Sequence, residues 1–92
     1  MNKEQISILN SACDKWGKNT QVMLALEEMA ELSKELLKNI NRKENNEIQI
    51  KEEIGDVYIM LEELKIIYNI SHFEILEVIT KKVERLKKRL SE

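Results

Sequence analysis

Proline is absent from the 92 residues, glycine occurs only as Gly17 and Gly55, and the aromatics number four: Trp16, Tyr58, Tyr68 and Phe73. A β-sandwich or small barrel needs turn punctuation about every ten residues, and this chain lacks it. With so few rings, the core must come from the 12 isoleucines and 11 leucines. The single cysteine, Cys13, excludes an internal disulfide and a cysteine metal cluster. Basic residues are not in excess: 15 against 17 acids give a net charge of −2, which removes the electrostatic case for a nucleic-acid polymer as partner. No apolar run approaches the ~20 residues of a membrane span. The opening Met1-Asn2-Lys3-Glu4-Gln5 is polar, so no signal peptide is expected. A cytoplasmic protein with no membrane partner is the expectation.

Apolar residues make up 42% of the chain and charged ones 35%, which suits a folded helical protein better than a disordered one. The length suits one domain over residues 1–92. Four helices are expected. Ile6, Leu9, Cys13 and Trp16 recur at helical spacing between Lys3 and Trp16. Gly17-Lys18-Asn19 breaks that helix, and Asn19 or Thr20 can cap a second, running to about Ile40. Residues 41–46 are polar and aperiodic and read as a loop. A third helix runs from about Glu47 to Tyr68, with Asn69 ending it. Ser71 followed by Glu74 reads as a capping box for a fourth, reaching about Leu90. Short connections make neighbours antiparallel, giving an all-α, four-helix bundle-like domain. In the third helix, Ile54, Val57, Leu61, Leu64 and Tyr68 form one stripe while Ile59 and Ile66 lie nearly opposite. A helix apolar nearly all round needs burial all round, which oligomerisation supplies.

Two acidic strings stand out. Glu27, Glu28 and Glu31 form E-E-x-x-E, with Glu35 one turn on; Glu52, Glu53 and Asp56 form E-E-x-x-D. Glu27, Glu31 and Glu35 sit with Lys34 and Lys38 and fit a solvated face. Glu53 instead falls between Met60 and Leu64, inside the apolar arc, with Asp56 at its margin near Ile67. A carboxylate buried alone costs several kcal/mol or shifts its pKa. If the second and third helices pack antiparallel at ~8–10 Å, the pairs Glu28/Glu31 and Glu53/Asp56 converge. A cation between them would relieve the repulsion, and oxygen ligands without His or Cys favour Mg2+ or Mn2+ over zinc. From the residues alone, metal site and solvated surface both remain open.

The paired strings resemble the signature of the MazG-like all-α nucleoside triphosphate pyrophosphohydrolases. Trp16-Gly17, Gln21 and Leu26-Glu27-Glu28-Met29-Ala30-Glu31-Leu32 look like the entry to that motif in the short, single-domain members. Glu52-Glu53-Ile54-Gly55-Asp56-Val57 resembles its second half, and Lys81-Lys82-Val83-Glu84-Arg85-Leu86 resembles the closing basic helix. The likeness spans about residues 14–90. It implies Mg2+, or Mn2+ as substitute, held by Glu28, Glu31, Glu53 and Asp56. It implies cleavage of a nucleoside triphosphate to monophosphate and pyrophosphate, in nucleotide-pool control, within a homodimer or homotetramer. Glu27 or Glu31 would take the proton of the attacking water. Lys82 and Arg85 would meet phosphates, with Arg89 on the same stripe; the family pattern often has an asparagine near the place of Arg85. Trp16 would stack on the base and Gln21 would bind its edge.

Each of these positions also has a plainer expectation. Lys82, Arg85 and Arg89 suit a helix C-terminus. Trp16 suits the core, and Gln21 a first helical turn. Gly55 costs ~1 kcal/mol inside a helix, for which close helix approach or an accident of packing would account. His72 is expected exposed; Cys13, the two tyrosines and the internal methionines are expected as packing. The rival from another class is a non-catalytic helical module that binds nucleotide or a protein partner.

Overall fold

A computed structural model describes residues 1–92. Four helices and no strands make up the chain: α1 (Lys3–Trp16), α2 (Lys18–Arg42), α3 (Glu47–Ile67) and α4 (His72–Leu90). No helix is long and apolar enough to cross a membrane.

Local chemistry sets the boundaries. Asn2 opens α1 with a full capping box: its side chain accepts from the Gln5 amide, and Gln5 returns a bond to the Asn2 amide. Between α1 and α2 stands one residue, Gly17, at φ +89°, donating its amide to Cys13 at 2.9 Å. That φ favours glycine. The corner overrides the expected cap at Asn19 or Thr20: α2 starts at Lys18 with no side-chain cap, so both lie inside the helix. Asn69 ends α3 as expected, in the left-handed region at φ +53°. The Asn69 and Ile70 amides bond back to Ile66 and Lys65 at 3.2 and 2.9 Å, a Schellman turn. Ser71 caps α4 by accepting from the Glu74 amide at 3.0 Å. The reciprocal half of the expected capping box is not formed.

α2 and α3 form an antiparallel pair, and α1 packs on both. The expected four-helix bundle is reduced to three helices, because α4 has no buried residue and only glancing contact with the rest. The left-handed turn at Asn69 leads into α4, and the Lys65 ammonium donates to His72 Nδ1 at its start at 3.2 Å. His72 is exposed, as expected. Phe73, Leu76, Ile79, Val83, Leu86 and Leu90 therefore face solvent.

Only six residues are buried: Leu9, Gln21, Ala25, Asn46, Met60 and Glu63. Trp16, Tyr58, Tyr68 and Met23, expected as packing or core, are exposed, while Met29 and Cys13 are half-buried. Lys15 and Lys18 place ammonium groups 5.5 and 4.7 Å from the ring centres of Trp16 and Tyr68. A Cβ at Gly55 would meet nothing within 4 Å, so close helix approach within the chain does not explain that glycine. The accessible surface is 7542 Å² for 10.9 kDa, against about 5,600 Å² for a compact monomer of that mass. The radius of gyration is 16.1 Å, against about 12 Å for a compact chain of this length.

Candidate metal centre

The α2–α3 interface carries polar side chains at three levels, set by Gln21, Glu28 and Glu35, each two turns apart on α2. At one end the Gln21 amide nitrogen donates to both oxygens of Glu63 at 3.0 Å. At the other, Asn46 donates to the Glu35 carboxylate at 2.8 Å and to its carbonyl at 2.9 Å. Lys38 adds an ion pair to Glu35 at 3.4 Å, and Asn39 donates to Asn46 at 3.1 Å. Ala25 and Met60 supply buried apolar packing between the levels.

The middle level has no donor. Glu28 from α2 meets Glu53 and Asp56 from α3, with carboxylate oxygens within 4.8 Å of one another. Glu53 Oε2 is buried without a hydrogen-bond partner. Burial, then the Asp56 carboxylate, then Glu53 and Glu31 raise the Glu28 pKa above its ordinary value. Burial, then Asp56, Glu31, Glu35 and Glu52 raise that of Glu53. Glu35 moves the other way, because the Asn46 hydrogen bond and Lys38 favour its ionised form. Converging hard oxygens, one of them orphaned, fit a divalent cation of the Mg2+ type.

Three of the four expected ligands thus come together: Glu28, Glu53 and Asp56. Glu31 is exposed beside them and acts on Glu28 and Glu53 through its charge. Glu27 is exposed. Lys82 and Arg85 are not brought to the acids; with Leu86 and Arg89 they line a shallow groove made of α4 alone. Trp16 is exposed at the end of α1, with the Lys15 ammonium 5.5 Å from the centre of its ring. Gln21 is 3% exposed and its amide is engaged by Glu63, so the expected contact with a base edge is replaced by a bond between helices. Glu63 and Asn46 were not anticipated. Glu63 falls three residues after Met60 and four before Ile67, a helical register that marks it as core-facing. Asn46 carried no periodic signal.

No family model matches this chain, and no curated protein or solved structure matches it.

Proposed function

We propose that the protein is a divalent-cation-dependent nucleoside triphosphate pyrophosphohydrolase of the MazG-like kind, acting on an NTP or dNTP in nucleotide-pool control. One observation carries this reading: of three polar levels between α2 and α3, only the middle one sets carboxylates against carboxylates with no donor. Glu28, Glu53 and Asp56 would hold Mg2+, or Mn2+ in its place, with Glu31 completing the set from the rim. When bound, the cation supplies Lewis acidity toward the α–β phosphoanhydride. Glu27 or Glu31, both open to solvent, accepts the proton of the attacking water. Trp16 offers a face for the base. Lys82 and Arg85 supply positive charge for the triphosphate from α4, within a homodimer or homotetramer.

The test is incubation of the purified chain with NTPs and dNTPs, with Mg2+ or with EDTA, resolving the products. Metal-dependent formation of monophosphate and pyrophosphate is expected. Orthophosphate release would mean a different bond is cut. No turnover, with nucleotide-dependent thermal stabilisation, would mark a non-catalytic binder.

A further inference from the structure

α2 carries a second apolar face, opposite the one that meets α3. Met23, Leu26, Ala30, Ser33, Leu37 and Ile40 repeat at alternating steps of three and four residues, and all six are exposed. That is the spacing of a helix-pairing seam. We propose that this seam pairs antiparallel with the same seam of a second copy of the chain.

Three features select that occupant. The first is surface. The chain exposes about 2,000 Å² more than a compact monomer of its mass, and the α2 seam contributes to that excess with Met23, Leu26, Leu37 and Ile40, each more than half exposed. The second is shape. The middle of the seam is Ala30 and Ser33, and small residues there let two helices approach closely about a two-fold axis. The Ser33 hydroxyl already donates to the Met29 carbonyl at 3.0 Å, so covering it strands no donor. The third is charge. Centred between Ala30 and Ser33, the pairing sets Leu26 against the partner's Leu37 and Met23 against the partner's Ile40. Glu27 then flanks the partner's Lys34, and the two-fold axis repeats that contact. Neither Glu27 nor Lys34 makes an ion pair within its own chain. A parallel pairing would set Glu27 beside the partner's Val22 and lose both contacts. The corresponding seam on α4, Leu76, Ile79, Val83, Leu86 and Leu90, is flanked by Lys82, Lys87 and Arg89, so it repels its own copy. This interface belongs to the assembly invoked for the active form, in which Glu27 is engaged at the seam and Glu31, off the seam, is left as the general base, but mass reads it independently of turnover and metal binding.

The experiment is sedimentation of the purified full chain in low salt and EDTA, with far-UV circular dichroism to follow helicity. A dimer of twice 10.9 kDa is expected. Ala30→Arg should give a helical monomer. Glu27→Lys and Lys34→Glu should each weaken association roughly tenfold, and the two together should recover it. A wild-type monomer overturns the proposal, as does a dimer indifferent to Ala30→Arg and to both single reversals. A double variant no tighter than the singles overturns the antiparallel register.

Discussion

Gln21 and Glu63 lock α2 to α3 through one amide nitrogen that reaches both carboxylate oxygens at 3.0 Å. Seven residues along α2 the same geometry recurs with Glu28 in place of the amide, and the facing groups are again carboxylates. The first level is satisfied within the protein. The second is satisfied only by a cation or a proton. That contrast converts a helix interface into a candidate metal site.

Glu53→Gln tests the middle level directly. Removing one charge and supplying a donor should raise the melting temperature of the metal-free protein and abolish triphosphate turnover. Mg2+ at about 100 times its dissociation constant should stabilise the wild type by about 2.7 kcal/mol, a shift on the order of 10 °C for a domain this small. The variant should show little of that shift. Equal Mg2+ shifts in the two proteins would remove Glu53 from the ligand set.

Acidity acts on the same charges. Because Glu28 and Glu53 titrate above their ordinary value of 4.5, the folded state holds protons that the unfolded chain has released. Their effect on stability is therefore increasingly unfavourable as pH rises from about 4.5 through the raised values. Glu35 has the opposite sign: its contribution is present above 4.5 and is lost as pH falls through its lowered value. Melting curves in EDTA should bring wild type and Glu53→Gln together near pH 4 and separate them toward pH 7, with the variant higher. A constant gap across that range would contradict the assignment.

Gln21→Leu should destabilise the fold by about 1–3 kcal/mol, because it leaves the Glu63 carboxylate, 2% exposed, without its donor. Pairing it with Glu63→Leu should recover much of that loss, since removing both partners leaves no stranded charge. Urea denaturation of the singles and the double measures the coupling. Additive losses would show that the amide–carboxylate contact contributes nothing.

Asn46→Ala removes the donor to both the side chain and the carbonyl of Glu35. A loss of about 1–2 kcal/mol is expected. Proteolysis within residues 43–46 should accelerate, because Asn46 ties that connection to α2. Unchanged stability and cleavage would show the contact to be incidental.

Lys82→Ala separates substrate from metal. KM for the triphosphate should rise while the Mg2+ midpoint of thermal stabilisation stays fixed, because Lys82 lies on α4, outside the carboxylate cluster. A KM equal to that of the wild type would leave Lys82 as a solvated helix-end cation.

The helices were legible because their signals are local. Apolar spacing, Asn69 and Ser71 set most boundaries to within two residues. The Glu28, Glu53 and Asp56 convergence was legible because Glu53 sits among apolar residues on its own helix, an anomaly visible without any neighbour. The role of Gln21 was not legible, because its partner Glu63 lies 42 residues away and nothing local announces the bond. Asn46 was hidden for the same reason, as its hydrogen bonds cross from a loop to α2.

The sequence by itself determined four helices, their order, and one acidic register on each of two of them, because periodicity and capping act over a few residues. Tertiary structure decided which polar groups face one another. It gave Gln21 to Glu63 and Asn46 to Glu35, left Glu28, Glu53 and Asp56 without a donor, and turned α4 and the outer face of α2 to solvent. Those outcomes depend on the relative placement of helices, where a shift of two turns along α2 would set Glu28 rather than Gln21 against Glu63.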